Sequence, residues 1–151
     1  MTNFGSSEEI LNFAIAKEEE AAAFYRQLAA RMEWPWMNKT FEQFAREEDG
    51  HKAKLLKIKK GKSPVLAAEK VVDLKIGDYL VEVDTAGKLD YQEALIVAMK
   101  REKASFKLYS DLADLADDTR LRSLFLVLAQ EEARHKLRFE LEYDEHILTE
   151  N

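Results

Sequence analysis

Apolar residues recur at steps of three and four along four long stretches of this chain, the period of a helix face that meets its neighbours. One stripe reads Leu11, Ala14, Glu18, Ala21, Tyr25, Leu28, and a second reads Phe41, Phe44, Glu48, His51, Leu55, Ile58. A third reads Leu95, Ala98, Glu102, Ser105, Tyr109, Leu112, and a fourth reads Leu121, Phe125, Leu128, Glu132, His135, Phe139. These stripes predict helices from about Ser7 to Met32, Lys39 to Lys60, Tyr91 to Ala116 and Arg120 to Asp144. The loop "EWPWMN" parts the first two and "DD" turns the chain between the last two, so each pair reads as a helical hairpin. Ser6 with Glu9, and Asp90 with Glu93, have the spacing of a capping box at the start of each hairpin.

The two hairpins repeat each other at an offset of 84 residues. "AIAKEEEAAAFY" (14–25) aligns with "AMKREKASFKLY" (98–109), and "FEQFAREEDGHK" (41–52) aligns with "FLVLAQEEARHK" (125–136). The offset holds across two helices and their connection, which shared helix composition alone does not produce. Residues 61–89 lack a clean helical period and carry Gly and Pro punctuation. Their apolar positions Val71, Val72, Leu74, Ile76, Leu80 and Val81 predict a segment that packs along the helices. The expected architecture is all-α: one domain over residues 1–151, with hairpins at about 7–60 and 90–144 and one long crossover at about 61–89, as a four-helix bundle.

Composition narrows the function classes. The 151 residues are 46% hydrophobic and 34% charged with few Gly and Pro, which suits long helices in a soluble domain. No run approaches a membrane span and the N-terminus lacks the pattern of a secretion signal, so a cytoplasmic protein is expected. Cysteine is absent, which removes disulfides, thiolate zinc sites and cysteine-ligated iron centres from these residues. A net charge of −6 gives no reason to expect nucleic acid or an anionic membrane as partner. The basic run "KAKLLKIKKGK" (52–62) reads as a solvated helix end whose cations complement the terminal dipole. Gly-rich phosphate loops and nucleophile elbows do not occur.

Each stripe is apolar at its ends and carries ligand-type groups at mid-length. Four bare carboxylates in a bundle core would cost several kcal/mol per ion even after relaxation. Two divalent cations would cancel the four charges, and two neutral imidazoles would complete the donor set. Glu and His three apart on a helix are surface neighbours, about 5–6 Å between Cβ atoms, so one turn can address one metal. A single Glu from each of two helices, with Glu-x-x-His from each of the other two, is the di-iron carboxylate pattern. Glu18, Glu48, His51, Glu102, Glu132 and His135 are therefore the candidate metal ligands. One Glu-x-x-His alone would carry little weight. Two of the chain's three histidines carry it, at the repeat offset and on the apolar stripe. Imidazole and carboxylate also serve manganese and zinc.

Other positions read more plainly. Glu47 and Glu131 repeat beside the stripe as flanking groups. Tyr25 and Tyr109 stand two turns from Glu18 and Glu102, either packed in the core with a satisfied hydroxyl or bonded to the ligands. Trp34 and Trp36 flank Pro35 in the expected loop, where they would cap the bundle, and His146 belongs to the exposed tail.

At "EEEAAAFY", "REEDGHKAKL", "REKASFKLY" and "QEEARHKLRF" the sequence resembles the rubrerythrin branch of the ferritin-like superfamily. The resemblance spans both halves and implies a ferritin-like bundle. In it Glu18, Glu48, His51, Glu102, Glu132 and His135 would bind two irons, Glu48 and Glu132 bridging them. It implies reduction of hydrogen peroxide or dioxygen, and a homodimer. Rubrerythrins proper carry a rubredoxin domain with four cysteines. Here the reducing electrons would come from another protein or a small donor. They also carry a second glutamate one turn after the third-helix ligand, where this chain has Ser105, a symmetric six-ligand set closer to the bacterioferritin pattern. Two further readings stand beside the redox enzyme: a ferroxidase that handles iron, and a structural module whose metal does no chemistry.

Overall fold

The computed structural model describes residues 6–32, 35–61, 74–81 and 90–145. Its long elements are four helices: α1 (Ser7–Ala30), α2 (Pro35–Lys60), α3 (Tyr91–Leu115) and α4 (Thr119–Tyr143). They pair as two hairpins, α1 with α2 and α3 with α4, joined by a long crossover that contains a 3-10 turn at Ile76–Tyr79. This is the all-α element set of a four-helix bundle, as the sequence pattern predicts. The chain divides between Leu74 and Lys75 into two compact units, one hairpin in each. No helix among the described residues is long and apolar enough to cross a membrane.

The first hairpin starts where the sequence says it should. The Ser6 side chain accepts from the Glu9 amide at 3.2 Å and stops the helix from fraying. Ile10, Leu11, Tyr25 and Leu28 of α1 are buried, as are Met37, Phe41 and Leu55 of α2. Each such large apolar side chain contributes about 1.5–3 kcal/mol when fully removed from water. The basic run ends α2 with exposed Lys57, Lys59 and Lys60 in its last turn, where they complement the helix dipole.

The start of α2 differs from expectation. The helix begins at Pro35, four residues before the expected Lys39. Proline is well suited to the first helical position, because its missing N–H is one of the amides that have no partner there. Trp36 therefore lies in the first helical turn, not in a loop, and is 47% exposed instead of closing over the helices. Met37 takes the buried position in that turn. The Asn38 side chain donates to the Ala29 carbonyl at 2.8 Å and fastens the turn to the end of α1. Trp34 and His146 lie outside the described residues.

In the second unit Asp90 accepts from the Glu93 amide at 2.7 Å and Asp118 from the Arg120 amide at 2.8 Å, capping α3 and α4. Of the crossover's expected packing positions, Leu74, Ile76 and Val81 are half-buried and Leu80 departs. Leu80 is 51% exposed, whereas Tyr79, one residue earlier, is buried at 3%. The Tyr79 hydroxyl donates to Asp111 Oδ2 at 2.7 Å, and Lys107 Nζ donates to the same oxygen at 2.8 Å. The 3-10 turn is thereby pinned against α3. Val71 and Val72 lie outside the described residues.

Candidate metal centre

Each hairpin brings two carboxylates and one imidazole together at mid-length. On α1, Glu18 occupies the stripe between Ala14 and Ala21, and the helical period turns it toward α2. On α2, Glu48 and His51 sit one turn apart between Phe44 and Leu55. His51 Nδ1 lies 3.5 Å from Glu18 Oε2 and 3.7 Å from Glu48 Oε1. The second hairpin repeats this arrangement. His135 Nδ1 on α4 lies 3.6 Å from Glu102 Oε1 on α3 and 3.9 Å from Glu132 Oε1 on its own helix. None of the six side chains belongs to a residue more than 2% exposed.

Those separations test whether a metal fits. They exceed the 2.7–3.2 Å typical of N–H···O hydrogen bonds. Two donor atoms at about 2.0–2.2 Å from one ion stand roughly 3 Å apart when adjacent and about 4.3 Å apart when opposite. Within each triad the three donor atoms lie within 4.8 Å of one another. Carboxylate oxygen and imidazole nitrogen are donors for iron, manganese and zinc alike. Two carboxylate charges per triad match one divalent cation, with the imidazole neutral. By distance, burial, charge and donor chemistry the two triads are candidate metal-binding clusters.

The surroundings are apolar but not identical in the two halves. Tyr25 is fully buried and meets Phe44 edge-on, with ring centroids 6.3 Å apart at 66°. Tyr109, its repeat mate, stacks on Phe125 at 6.5 Å and 13°. The cause lies in the sequence: the repeat mate of Phe44 is Leu128, so Tyr109 has no ring at that position to meet. Ser105 is partly buried on the α3 stripe, and Glu47 and Glu131 are partly exposed beside the triads, on the flank where the pattern put them. The Gln43 amide approaches Glu47 Oε1 at 3.4 Å.

One buried carboxylate lies beyond the candidate set. Glu142 is 2% exposed and accepts from the Tyr91 hydroxyl at 2.7 Å, tying the end of α4 to the start of α3. The signal was available: Glu132, His135, Phe139 and Glu142 continue one stripe at helical steps. Glu142 is a fastening group of the hairpin ends.

Comparison with known proteins adds three findings. The family model described as Rubrerythrin matches residues 9–143, both hairpins and the crossover. A crystal structure from Thermotoga maritima, described as a ferritin-like diiron-carboxylate protein, is similar with a TM-score of 0.75 and 25% identity, over 97% of this chain and 98% of that one. A hypothetical protein from Pyrococcus furiosus is similar in fold with a TM-score of 0.68 and 22% identity, over 91% of this chain and 87% of that one. No curated protein sequence matches.

Proposed function

We propose for this chain, which belongs to the rubrerythrin family, the reduction of hydrogen peroxide or dioxygen at a non-haem di-iron centre held by Glu18, Glu48, His51, Glu102, Glu132 and His135. The observation that carries the reading is the pair of buried Glu, Glu and His triads, one per hairpin, with donor separations of 3.5–3.9 Å. The family match supports it by covering residues 9–143, which include both triads. The Thermotoga structure supports it through its description as a diiron-carboxylate protein.

In this reading Glu18 and Glu102 each offer a carboxylate from the single-ligand helix of their hairpin. Glu48 with His51, and Glu132 with His135, offer a carboxylate and an imidazole from one helical turn. The neutral imidazoles complete the donor set without adding charge, so four carboxylates balance two divalent ions. Two irons held there would supply a change between ferrous and ferric states, two electrons in all, as the reduction of one peroxide and two protons to two waters requires. Leu11, Ala14 and Leu55 in one hairpin, and Leu95, Ala98 and Phe139 in the other, keep bulk water from the carboxylates. These residues hold no cysteine-ligated iron to relay electrons, so the reducing electrons come from a donor outside them.

A second reading, iron oxidation followed by transfer or storage, draws on the symmetric six-donor set with Ser105 in place of a further carboxylate. Protein purified without chelator, and then loaded anaerobically with ferrous iron, separates the two. Two irons per chain, retained through many turnovers and reoxidised by peroxide faster than free ferrous ion, are expected. The Glu48→Ala and Glu132→Ala double variant loses that iron. Iron accumulating beyond two per chain selects the second reading. Bound metal that never responds to peroxide or dioxygen overturns both and leaves a metal-stabilised module.

A further inference from the structure

Away from both triads, the second unit carries an open groove of about 530 Å³ between residues 78–81 and α3. Its apolar surface comes from Leu80, Val81, Ala104 and Phe106, and Lys100 and Lys103 stand on it. We infer that this groove binds a small amphipathic organic anion. An apolar body lies on Leu80, Val81, Ala104 and Phe106, and a carboxylate at its end meets the ammonium groups of Lys100 and Lys103.

Helix geometry sets the groove apart from the metal chemistry. Lys103 and Ala104 lie three and four residues after Lys100, and Lys107 lies four and three after them, so the four form one continuous stripe. At about 100° per residue that stripe points opposite to Leu95, Ala98, Glu102 and Tyr109. One helix thus offers a carboxylate on its buried side and a row of cations on its outer side.

The groove is built and held open by its own contacts. Tyr79 is buried and bonded to Asp111, so the wall that follows it stays against α3. Lys107 is committed to the same carboxylate and lies over the Tyr79 ring at 5.4 Å. Lys100 and Lys103 pair with no carboxylate among the described residues. Among the described residues Asp78 is the one acidic residue that lines the groove, against three lysines. The described lining is therefore net positive on a chain whose net charge is −6.

A solvated helix face explains the lysines but not their company. Leu80 and Phe106 are 51% and 42% exposed, and both line the same concavity. Pockets of roughly 300–1,000 Å³ with apolar walls and a few placed polar groups are the usual form of small-molecule sites. Charge complementarity selects an anion, and the apolar walls select one with a hydrocarbon or ring body. The net charge of −6 disfavours a polyanion such as nucleic acid as the occupant.

The full chain is titrated with 8-anilinonaphthalene-1-sulfonate by fluorescence and by calorimetry, with decanoate as competitor. One probe per chain is expected, displaced by decanoate about tenfold more effectively than by decanol, because decanol lacks the charge that the lysines meet. Lys100→Glu with Lys103→Glu, and separately Ala104→Trp, weaken probe binding by about tenfold or more. The charge-matched Lys57→Glu with Lys59→Glu on α2 changes it by less than about threefold. Far-UV circular dichroism and thermal melts establish that each variant keeps its helices. Equal binding by groove variants and wild type, equal displacement by decanol and decanoate, or several probes per chain each overturn the proposal. Stronger displacement by an acidic amphipathic peptide than by decanoate also overturns it, and makes the groove a protein-docking surface.

Discussion

Replacing Glu48 and Glu132 together by Met removes two of the four carboxylates of the triads and keeps side-chain length. Both residues are fully buried, and each lies within 3.7–3.9 Å of the imidazole of its own triad. Without metal, each triad holds two carboxylates against one imidazole in a site closed to water. Exchanging buried ionic groups for apolar residues of similar volume is often neutral or stabilises a fold by about 1–4 kcal/mol. Taking about 2 kcal/mol, and a urea dependence of about 2 kcal/mol per molar, the metal-free variant should unfold about 1 M later than wild type. Metal reverses the order. A ligand held at one hundred times its dissociation constant stabilises the native state by about 2.7 kcal/mol per site. Wild type gains that stability and the variant does not. Urea titrations followed by circular dichroism, in a chelator arm and an anaerobic ferrous arm, read both signs. A variant less stable than wild type by the same amount in both arms would refute the reasoning. The carboxylates would then be structural partners, and the energetic case for metal would fall.

Three other outcomes follow from single contacts. Tyr79→Phe removes a hydrogen bond to a charged acceptor and should cost about 1–2 kcal/mol by urea titration, since Asp111 keeps Lys107. Burial first, and then the bond to Asp111, hold the Tyr79 hydroxyl above its ordinary value of 10.0. A raised folded value gives stability that is complete below that ordinary value and declines as pH rises above it. The alkaline loss should therefore be steeper in wild type than in Tyr79→Phe, and equal slopes would remove the Tyr79 contact from the explanation. Phe125→Ala empties the fully buried ring position stacked on Tyr109, and a loss of about 3–5 kcal/mol is expected in thermal or urea melts. Arg26→Ala breaks the exposed pair with Asp49, and should change stability by less than about 1 kcal/mol, shrinking further in 1 M salt.

What could be read from the sequence was what periodicity controls. A long helix repeats its burial every three or four residues, so Glu18, Glu48, His51, Glu102, Glu132 and His135 could be assigned an inward face before any coordinates. They are buried, and they meet in threes within each hairpin. The 84-residue offset added what one helix cannot supply, a second instance of the same inward chemistry. Where periodicity fails, so did the reading. The crossover has no repeat long enough to phase its side chains. Leu80 was expected inside and Tyr79 was not singled out, although a buried tyrosine needs a partner for its hydroxyl and Asp111 supplies one. The start of α2 was misjudged because Pro35 reads as a breaker inside a pattern and as a starter at its first position, and only the backbone distinguishes the two. The groove on α3 has a further reason for escaping notice. Lys100, Lys103 and Lys107 look like any solvated face until residues 78–81 are brought alongside. Their proximity depends on one tyrosine finding one aspartate 32 positions away, a contact that no local pattern announces.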